Sequence, residues 1–321
     1  MDKELTKVEQ MIWTEQEEEQ RKRDLMMKSR AKNTRRAYRA DWAEFMEFCE
    51  ERGFTAMPST AKAVSSFILH LLDSGRKAST ISRKMTSIGE AHKTLRAPNP
   101  VVDPEIRSLL AGIKRTIGTK VEQKAPLMTE IIKQLLTHVE NDKKGKRDKA
   151  LLLVGYAGGF RRNELTGIMV EDITFVKQGV AIDITKSKTD QEKMGRRIGV
   201  PYGEHLETCP VTALKEWLKV SGIKEGYIFR GMFRGHDLRE TRLDDKMVSA
   251  IIKELVVKAG LDETIYSGHS LRSGMVTQAS SEGASEYSIM LQTGHTNTET
   301  LRRYIRSGRL FKDNAAYKLG L

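Results

Sequence analysis

The first third of the chain carries apolar residues at three- and four-residue steps, the periodicity of helices that bury one face. The segment after Asn33 shows it in Tyr38, Trp42, Phe45 and Cys49. Capping residues, glycines and prolines bound this segment and three further ones. Together they predict helices over about 33–51, 60–74, 79–95 and 104–115. These helices predict a compact domain over residues 29–117, with the aromatic stripe as its core.

The pattern changes on either side of this domain. Residues 118–126 are polar without an apolar repeat, which predicts an interdomain linker. Residues 1–28 contain acidic and basic blocks and predict a polar N-terminal arm. From residue 127 to 321, helical segments surround two runs of strand composition, 180–185 and 196–200, that flank a polar turn. The predicted fold class is therefore mainly α with a small antiparallel β-sheet, in two domains.

Composition narrows the classes of function. The chain has 321 residues with 55 Lys+Arg against 43 Asp+Glu, a formal net charge of +12, which favours a polyanionic partner and nucleic acid above all. No apolar run approaches the ~20 residues of a membrane span, and the start lacks an apolar leader. The two cysteines, Cys49 and Cys209, have neither disulfide-framework nor metal-ligand spacing. We expect a cytoplasmic protein without membrane association.

Five short motifs in the second domain carry side chains suited to phosphate chemistry. They are GGFRRNEL at 158–165, KSKT at 186–189, HSLR at 269–272, TGH at 293–295 and RRYIR at 302–306. Arginines match phosphate oxygens, lysine and histidine can move protons, and a tyrosine oxygen can attack phosphorus. No cluster of carboxylates suited to Mg²⁺ accompanies them. If the motifs converge, they suit a phosphodiester transesterification that uses no metal and makes the tyrosine the covalent carrier.

In this order, the motifs resemble the signature of the tyrosine site-specific recombinases, the phage integrase family that includes the Cre and Xer proteins. That signature is an arginine, a lysine on a β-turn, His-x-x-Arg, a histidine or tryptophan, and a tyrosine. The resemblance covers about residues 29–321. The matching positions are Arg161, Lys188, His269, Arg272, His295 and Tyr304.

Two matching positions have a neighbour of the same type. The family's arginine lies three positions before a glutamate, so Glu164 favours Arg161 and leaves Arg162 as the alternative. The Ser-Lys-Thr context favours Lys188 over Lys186. By the resemblance, Glu164 orients Arg161 or a histidine. The alternative is a carboxylate that only stabilises a helix N-terminus.

The resemblance implies a mechanism. The two arginines of the pattern hold the non-bridging oxygens of the scissile phosphate, while Tyr304 attacks and forms a 3′-phosphotyrosyl bond. Lys188 protonates the leaving 5′-oxygen. His269 is a candidate base or proton store, and His295 hydrogen-bonds the phosphate. A partner strand's 5′-hydroxyl reverses the step. Because the bond energy is kept in the linkage, the implied reaction needs neither ATP nor metal nor any other cofactor.

The resemblance also implies a C-shaped clamp, in which the helical domain and the catalytic domain grip opposite faces of double-stranded DNA. A C-terminal helix over about 309–321 docks on a neighbouring subunit, with packing on its own domain as the alternative. The implied assembly is a homotetramer on two DNA sites with inverted-repeat half-sites, and a monomer or weak dimer off DNA. The expected DNA-binding residues are Arg35, Arg36, Arg39, Lys77, Arg83, Lys84 and Lys246, with solvated helix faces as the alternative.

The implied activity is site-specific recombination for integration, excision or resolution of mobile or plasmid DNA. Three alternatives stay open: a type IB topoisomerase-like or telomere-resolving enzyme, a catalytically silent DNA-binding regulator, and an RNA-binding protein. The short C-terminal segment after Tyr304 favours a recombinase over a topoisomerase. All six positions of the signature are filled, which argues against the regulator. No aromatic-rich strand for RNA recognition is visible in the sequence.

Overall fold

The computed structural model describes residues 32–119, 123–184, 195–234, 237–295 and 298–308, with residues 18, 20–22, 316 and 319. The chain divides into two compact units, Met1–Glu122 and Gln123–Leu321. Most of the predicted arm and nearly all of the predicted C-terminal helix lie outside the described residues. The turn with Lys186 and Lys188 lies outside them entirely.

The first unit is built from amphipathic helices with defined ends. Thr60 caps the second helix by accepting from the Ala63 amide. The rings of Phe45 and Phe67 lie 5.2 Å apart in a core that the helices share. The described part contains α1 (Lys32–Arg52), α2 (Ala61–Asp73), α3 (Ala78–Thr94) and α4 (Pro104–Ile117), with a 3₁₀ turn at Pro100–Val102.

A buried ion-pair cluster joins α1 to α3. The side chain of Lys84 is 4% exposed, and its ammonium contacts Asp41 at 3.2 Å and Glu44. Arg83 also donates to Asp41, while the rest of its side chain reaches solvent. The sequence predicts Lys84 as a DNA contact. Its burial between two carboxylates argues instead for a structural role, because a paired buried ammonium cannot reach a phosphate without breaking both ion pairs.

Replacing Lys84 by methionine tests this role. We expect Lys84→Met to lower the free energy of unfolding by about 3 kcal/mol, because buried Asp41 would keep Arg83 but lose a buried cation. Chemical denaturation measures this change. The control is Lys77→Met, an exposed lysine before α3, which we expect to leave stability within about 0.5 kcal/mol. Unchanged stability in Lys84→Met, together with weaker and less salt-sensitive DNA binding, would return Lys84 to the DNA contacts.

The second unit combines helices with two small antiparallel sheets. Its 3₁₀ turns lie at Val170–Asp172 and Leu206–Thr208. Its other described elements are α5 (Thr129–Leu136), α6 (Lys143–Ala157), α7 (Arg162–Gly167), β1 (Ile173–Val176), β2 (Gly179–Ile184), β3 (Arg196–Pro201), α8 (Pro210–Ser221), β4 (Arg230–Met232), β5 (Leu238–Arg242), α9 (Asp245–Lys258), α10 (Ser270–Ser281), α11 (Glu286–Thr293) and α12 (Thr298–Gly308).

The sheets both match and extend the prediction. The predicted hairpin is present as β2 and β3, with Val180 opposite Val200 and Ile184 opposite Arg196. Strand β1 adds to β2, and β4 pairs with β5 in a second sheet. The sequence did not indicate these strands, since β1 and β5 are largely exposed and β5 lacks apolar alternation. The fold class, mainly α with small antiparallel sheets, is confirmed.

Helix α10 is held by contacts on several sides. The Leu127 amide donates to the carbonyl of Ser270, and Gly274 lets the Leu127 backbone approach, since a Cβ at Gly274 would lie 1.9 Å from the Leu127 oxygen. Ala125, which the sequence assigns to the linker, lies in the second unit and donates to the carbonyl of Ile265. Val276 of α10 also packs in a cluster with residues of α11 and α12. These contacts position the helix that begins with the HSLR motif.

No helix in the described parts of the chain is long and apolar enough to cross a membrane.

Candidate active site

Arg272 lies in the first turn of α10 and is 2% exposed. Its Nη1 donates to the carbonyls of Gly159 and Thr293, both at 2.7 Å. Its Nη2 is buried without a hydrogen-bond partner among the described residues. Burial and repulsion from Arg161 lower the pKa of Arg272 to about 9, so the side chain is still a cation at neutral pH. A buried cation with a free donor is suited to an anionic ligand.

Arg161 precedes α7 and faces the same region. Its Nη1 donates to Glu164 Oε1 at 2.7 Å and its Nη2 to the carbonyl of Gly294 at 3.2 Å. The side chain of Glu164 is 1% exposed. Arg162 turns elsewhere, with its Nη1 donating to Ser249 Oγ at 3.3 Å. The structure therefore brings Arg161, and not the guanidinium of Arg162, to the turn that contains Gly294.

Tyr304 lies on α12 with its hydroxyl 3.1 Å from Nε2 of His269. Its ring packs beside the apolar cluster that includes Val276 and Leu301. Desolvation, with repulsion from Arg272 and other arginines, lowers the pKa of His269 below its usual value. The imidazole is therefore neutral at pH 7 and can accept the proton of the Tyr304 hydroxyl.

His295 has a defined tautomer. The Thr293 hydroxyl donates its hydrogen to the carbonyl of Ile289 at 2.6 Å. It can therefore only accept from His295 Nδ1, which lies 2.7 Å away, so Nδ1 carries the proton. Burial and the charges of Arg272 and Arg161 lower the pKa of His295 to about 3. A phosphate close to Nε2 would favour the imidazolium, which then donates from Nε2.

Arg196 is a member of this cluster that the sequence analysis missed. It is the first residue of β3, and its Nη2 donates to Glu164 Oε2 at 2.7 Å. Two adjacent arginines after a polar turn offered no signal of which one faces inward. With Arg161 and Arg272, it gives this part of the site three guanidinium groups around Glu164, so the cluster keeps a positive charge that favours anions.

The other predicted residues are the DNA contacts and two lysines outside the described residues. These two lysines are Lys188 and Lys186. Among the described residues, no group of three or more His, Cys, Asp or Glu side chains could hold a metal ion. Of the predicted DNA contacts, the exposed ones are Arg35, Arg36 and Arg39 on α1, Lys77 before α3, Arg83 on α3 and Lys246 on α9.

The lowered pKa of His269 predicts the acid side of the pH profile. Because the pKa of His269 is lowered from 6.5, more than half of the rings are neutral at pH 6.5 to 7, so we expect the cleavage rate to change little over this range and to fall at lower pH. The rate of covalent adduct formation at subsaturating DNA measures this. His269→Gln should remove the acid limb and lower the plateau about 10²- to 10⁴-fold. An acid midpoint above 6.5, or the same limb in the variant, would contradict this role.

Comparison with known proteins identifies the family. Residues 127–309 match the Phage integrase family, and residues 21–97 match the Phage integrase, N-terminal SAM-like domain. The fold and the site thus define the class of the phage integrases, and the chain belongs to the phage integrase family. An integrase/recombinase xerD homolog of Selenomonas ruminantium is 41% identical over 296 residues, covering 91% of this chain and 86% of that relative. The protein is an enzyme, a site-specific tyrosine recombinase similar to the Xer proteins.

Solved structures show the same fold. The Tn1549 transposon integrase, in complex with transposon right end DNA, has a TM-score of 0.63 at 14% identity and covers 88% of this chain and 92% of its own. The XerH site-specific recombinase, bound to palindromic difH substrate, has a TM-score of 0.60 at 18% identity. It covers 80% of this chain and 70% of its own. Both likenesses support the two-domain fold.

Proposed function

We propose that this enzyme cuts and rejoins double-stranded DNA through a covalent 3′-phosphotyrosyl intermediate on Tyr304. The observation that carries the proposal is the 3.1 Å distance between the Tyr304 hydroxyl and His269 Nε2, beside the buried guanidinium of Arg272. Membership of the family supplies the class of reaction. The contacts of the described residues support the roles of Tyr304, His269, Arg161, Arg272 and His295, and the role of Lys188 follows from the family.

Cleavage begins when Tyr304 passes its proton to neutral His269 and its oxygen attacks phosphorus. The bond from phosphorus to the 5′-oxygen breaks as the new phosphotyrosyl bond forms, and Lys188 gives that oxygen a proton. The step leaves a free 5′-hydroxyl and keeps the bond energy in the phosphotyrosine. Attack by the 5′-hydroxyl of a partner strand reverses the step and joins the new strands.

The arginines stabilise the charge that develops on the phosphate. Arg272 has a buried donor without a hydrogen-bond partner among the described residues, and Arg161 lies across the same turn. Removing one such preorganised donor lowers the rate of the chemical step about 10²- to 10³-fold. The protonated His295 donates from Nε2 to the same phosphate.

The proposed partner is double-stranded DNA with inverted-repeat half-sites, in the cytoplasm, in the context of integration, excision or resolution of mobile or plasmid DNA. A homotetramer on two such sites is the proposed active assembly, with a monomer or weak dimer off DNA. The net charge of +12 supports a polyanionic partner. Exposed Arg35, Arg36 and Arg39 share one side of α1. The candidates for base reading are Arg36 and Arg83 in the first unit and Lys246 in the second.

Nicked DNA from the region that flanks the gene tests the proposal. A nick lets the short cleaved strand diffuse away, so the covalent adduct accumulates. We expect an SDS-resistant protein–DNA band in buffer with EDTA, with a released 5′-hydroxyl that polynucleotide kinase can label. Two duplexes that both carry the site should then exchange strands, which separates recombination from simple relaxation. Attachment of the protein to a 5′ end, or no adduct on any site of a broad screen, would overturn the proposal.

A further inference from the structure

Arg196 is a partly buried arginine to which the mechanism above gives no role. From the structure we propose that Arg196 is a positioning residue for DNA cleavage: it holds Glu164, and Glu164 holds Arg161 in the orientation that meets the scissile phosphate. The inference rests on the proposed function, because it takes Arg161 as a phosphate ligand.

The first support is the shared carboxylate. Glu164 Oε1 accepts from Arg161 Nη1, and Glu164 Oε2 accepts from Arg196 Nη2, both at 2.7 Å. The Arg161 amide also donates to Oε2 at 3.0 Å. Two cations on opposite oxygens fix the rotation of the carboxylate, and the carboxylate then fixes the plane of the Arg161 guanidinium.

The second support is the turn before His295. Gly294 has a φ of +65°, and a Cβ there would lie 1.8 Å from Arg196 Nη1. The missing side chain thus makes room for Arg196, while the carbonyl of Gly294 accepts from Arg161 at 3.2 Å. Arg196 therefore lies against both groups that orient Arg161, the Glu164 carboxylate and this turn.

The third support is the cost of burying Arg196. Its side chain is 17% exposed, and its Nε and Nη1 are buried without hydrogen-bond partners in the part of the chain that the structure describes. Desolvation and repulsion from Arg161 also lower its pKa. An arginine that only stabilised the fold would be expected to use its donors. A partly buried cation held beside Arg161 and Arg272 instead fits a site built for an anion.

The next residue along the strand offers a matched control. Arg197 has a side chain that is 60% exposed and faces Asp183 at 3.6 Å. We compare Arg196→Gln with Arg197→Gln in single-turnover formation of the phosphotyrosyl adduct on saturating nicked DNA. We expect Arg196→Gln to slow the reaction about 10- to 100-fold, the usual effect of losing a supporting partner, with DNA affinity within about 3-fold of wild type. Arg197→Gln should react within about 3-fold of wild type.

Two further measurements separate positioning from a structural role. If Arg196 acts through Glu164, the double variant Arg196→Gln/Glu164→Gln should react no slower than the slower single variant. A substrate with a 5′-bridging sulfur has a leaving group that needs no proton. It should therefore rescue Lys188→Ala but leave Arg196→Gln slow. Rescue of Arg196→Gln by sulfur, or fully additive effects in the double variant, would overturn the proposal.

Arg196→Met is a second test of folding: Glu164 keeps its ion pair with Arg161, and the methionine removes the two buried donors of Arg196 that lack partners among the described residues. It should fold and show the same slow cleavage. Lost DNA binding, with melting more than about 10 °C lower in both Arg196 variants, would assign Arg196 to the fold and overturn the inference. A normal rate in either variant would overturn this inference alone. No adduct with the wild-type protein would overturn the proposed function as well.

Discussion

Tyr304→Phe is expected to bind DNA with wild-type affinity and to form no covalent adduct. The substitution removes one oxygen and leaves the ring that packs beside Val276 and Leu301. It deletes the atom 3.1 Å from His269 Nε2, and phenylalanine offers nothing that can attack phosphorus. Loss of a nucleophile lowers the rate by about 10⁴-fold or more, so cleavage of nicked DNA should fall below detection.

The matched control for this prediction is Tyr287→Phe. Tyr287 lies on the neighbouring helix α11 and is 72% exposed, so the loss of its hydroxyl should leave both binding and cleavage unchanged. Gel shift gives the affinity of each variant, and denaturing gels with labelled DNA give the adduct. A covalent adduct formed by Tyr304→Phe would assign the nucleophile to another residue.

Arg272→Gln is expected to lower the rate of cleavage about 10³-fold or more while the protein still binds DNA. The guanidinium of Arg272 donates from Nη1 to the carbonyls of Gly159 and Thr293 and keeps Nη2 for a further acceptor. Glutamine has too few donors to reproduce this arrangement. It also removes a buried charge at the proposed position of the reacting phosphate, where electrostatic stabilisation is strongest. The measurement is single-turnover adduct formation at saturating DNA, with thermal melting as the check on folding.

Arg162→Gln is the control for Arg272→Gln and also tests the choice between adjacent arginines. The guanidinium of Arg162 lies against Ser249 and Asp245 rather than Gly294, so we expect its loss to change cleavage less than about 3-fold. A defect in Arg162→Gln as large as that in Arg272→Gln would make Arg162 the phosphate ligand. Equal cleavage by Arg272→Gln and wild type would remove Arg272 from the site.

The helices and the predicted hairpin were readable from the sequence because their signals are local. An apolar stripe repeats every three to four residues, as in Val64, Phe67, Ile68 and Leu71 of α2, and it favours a helix whatever the distant partners are. The short strands β1, β4 and β5 carry no such signal, because pairing with a neighbouring strand stabilises them more than their own pattern does.

The order of the motifs along the sequence also predicted most residues of the candidate site. His269 and Arg272 lie three residues apart at the start of one helix, so a local rule places them on one face. That Tyr304 lies beside His269 is a tertiary contact between residues 35 positions apart. The sequence could suggest that contact only through resemblance to a family.

The amino-acid sequence by itself thus determined the helices, the class of chemistry and the family. Only the tertiary structure decided which partner each charged side chain contacts. It turned Arg161 toward Glu164 and Arg162 toward Ser249, and it buried Lys84 against Asp41, 43 residues away. It also placed Arg196 on Glu164 and left Arg197 exposed. Local patterns predict on which face of its helix or strand each of these side chains lies. Only the packing of distant elements decides whether that face meets water, a carboxylate or the site.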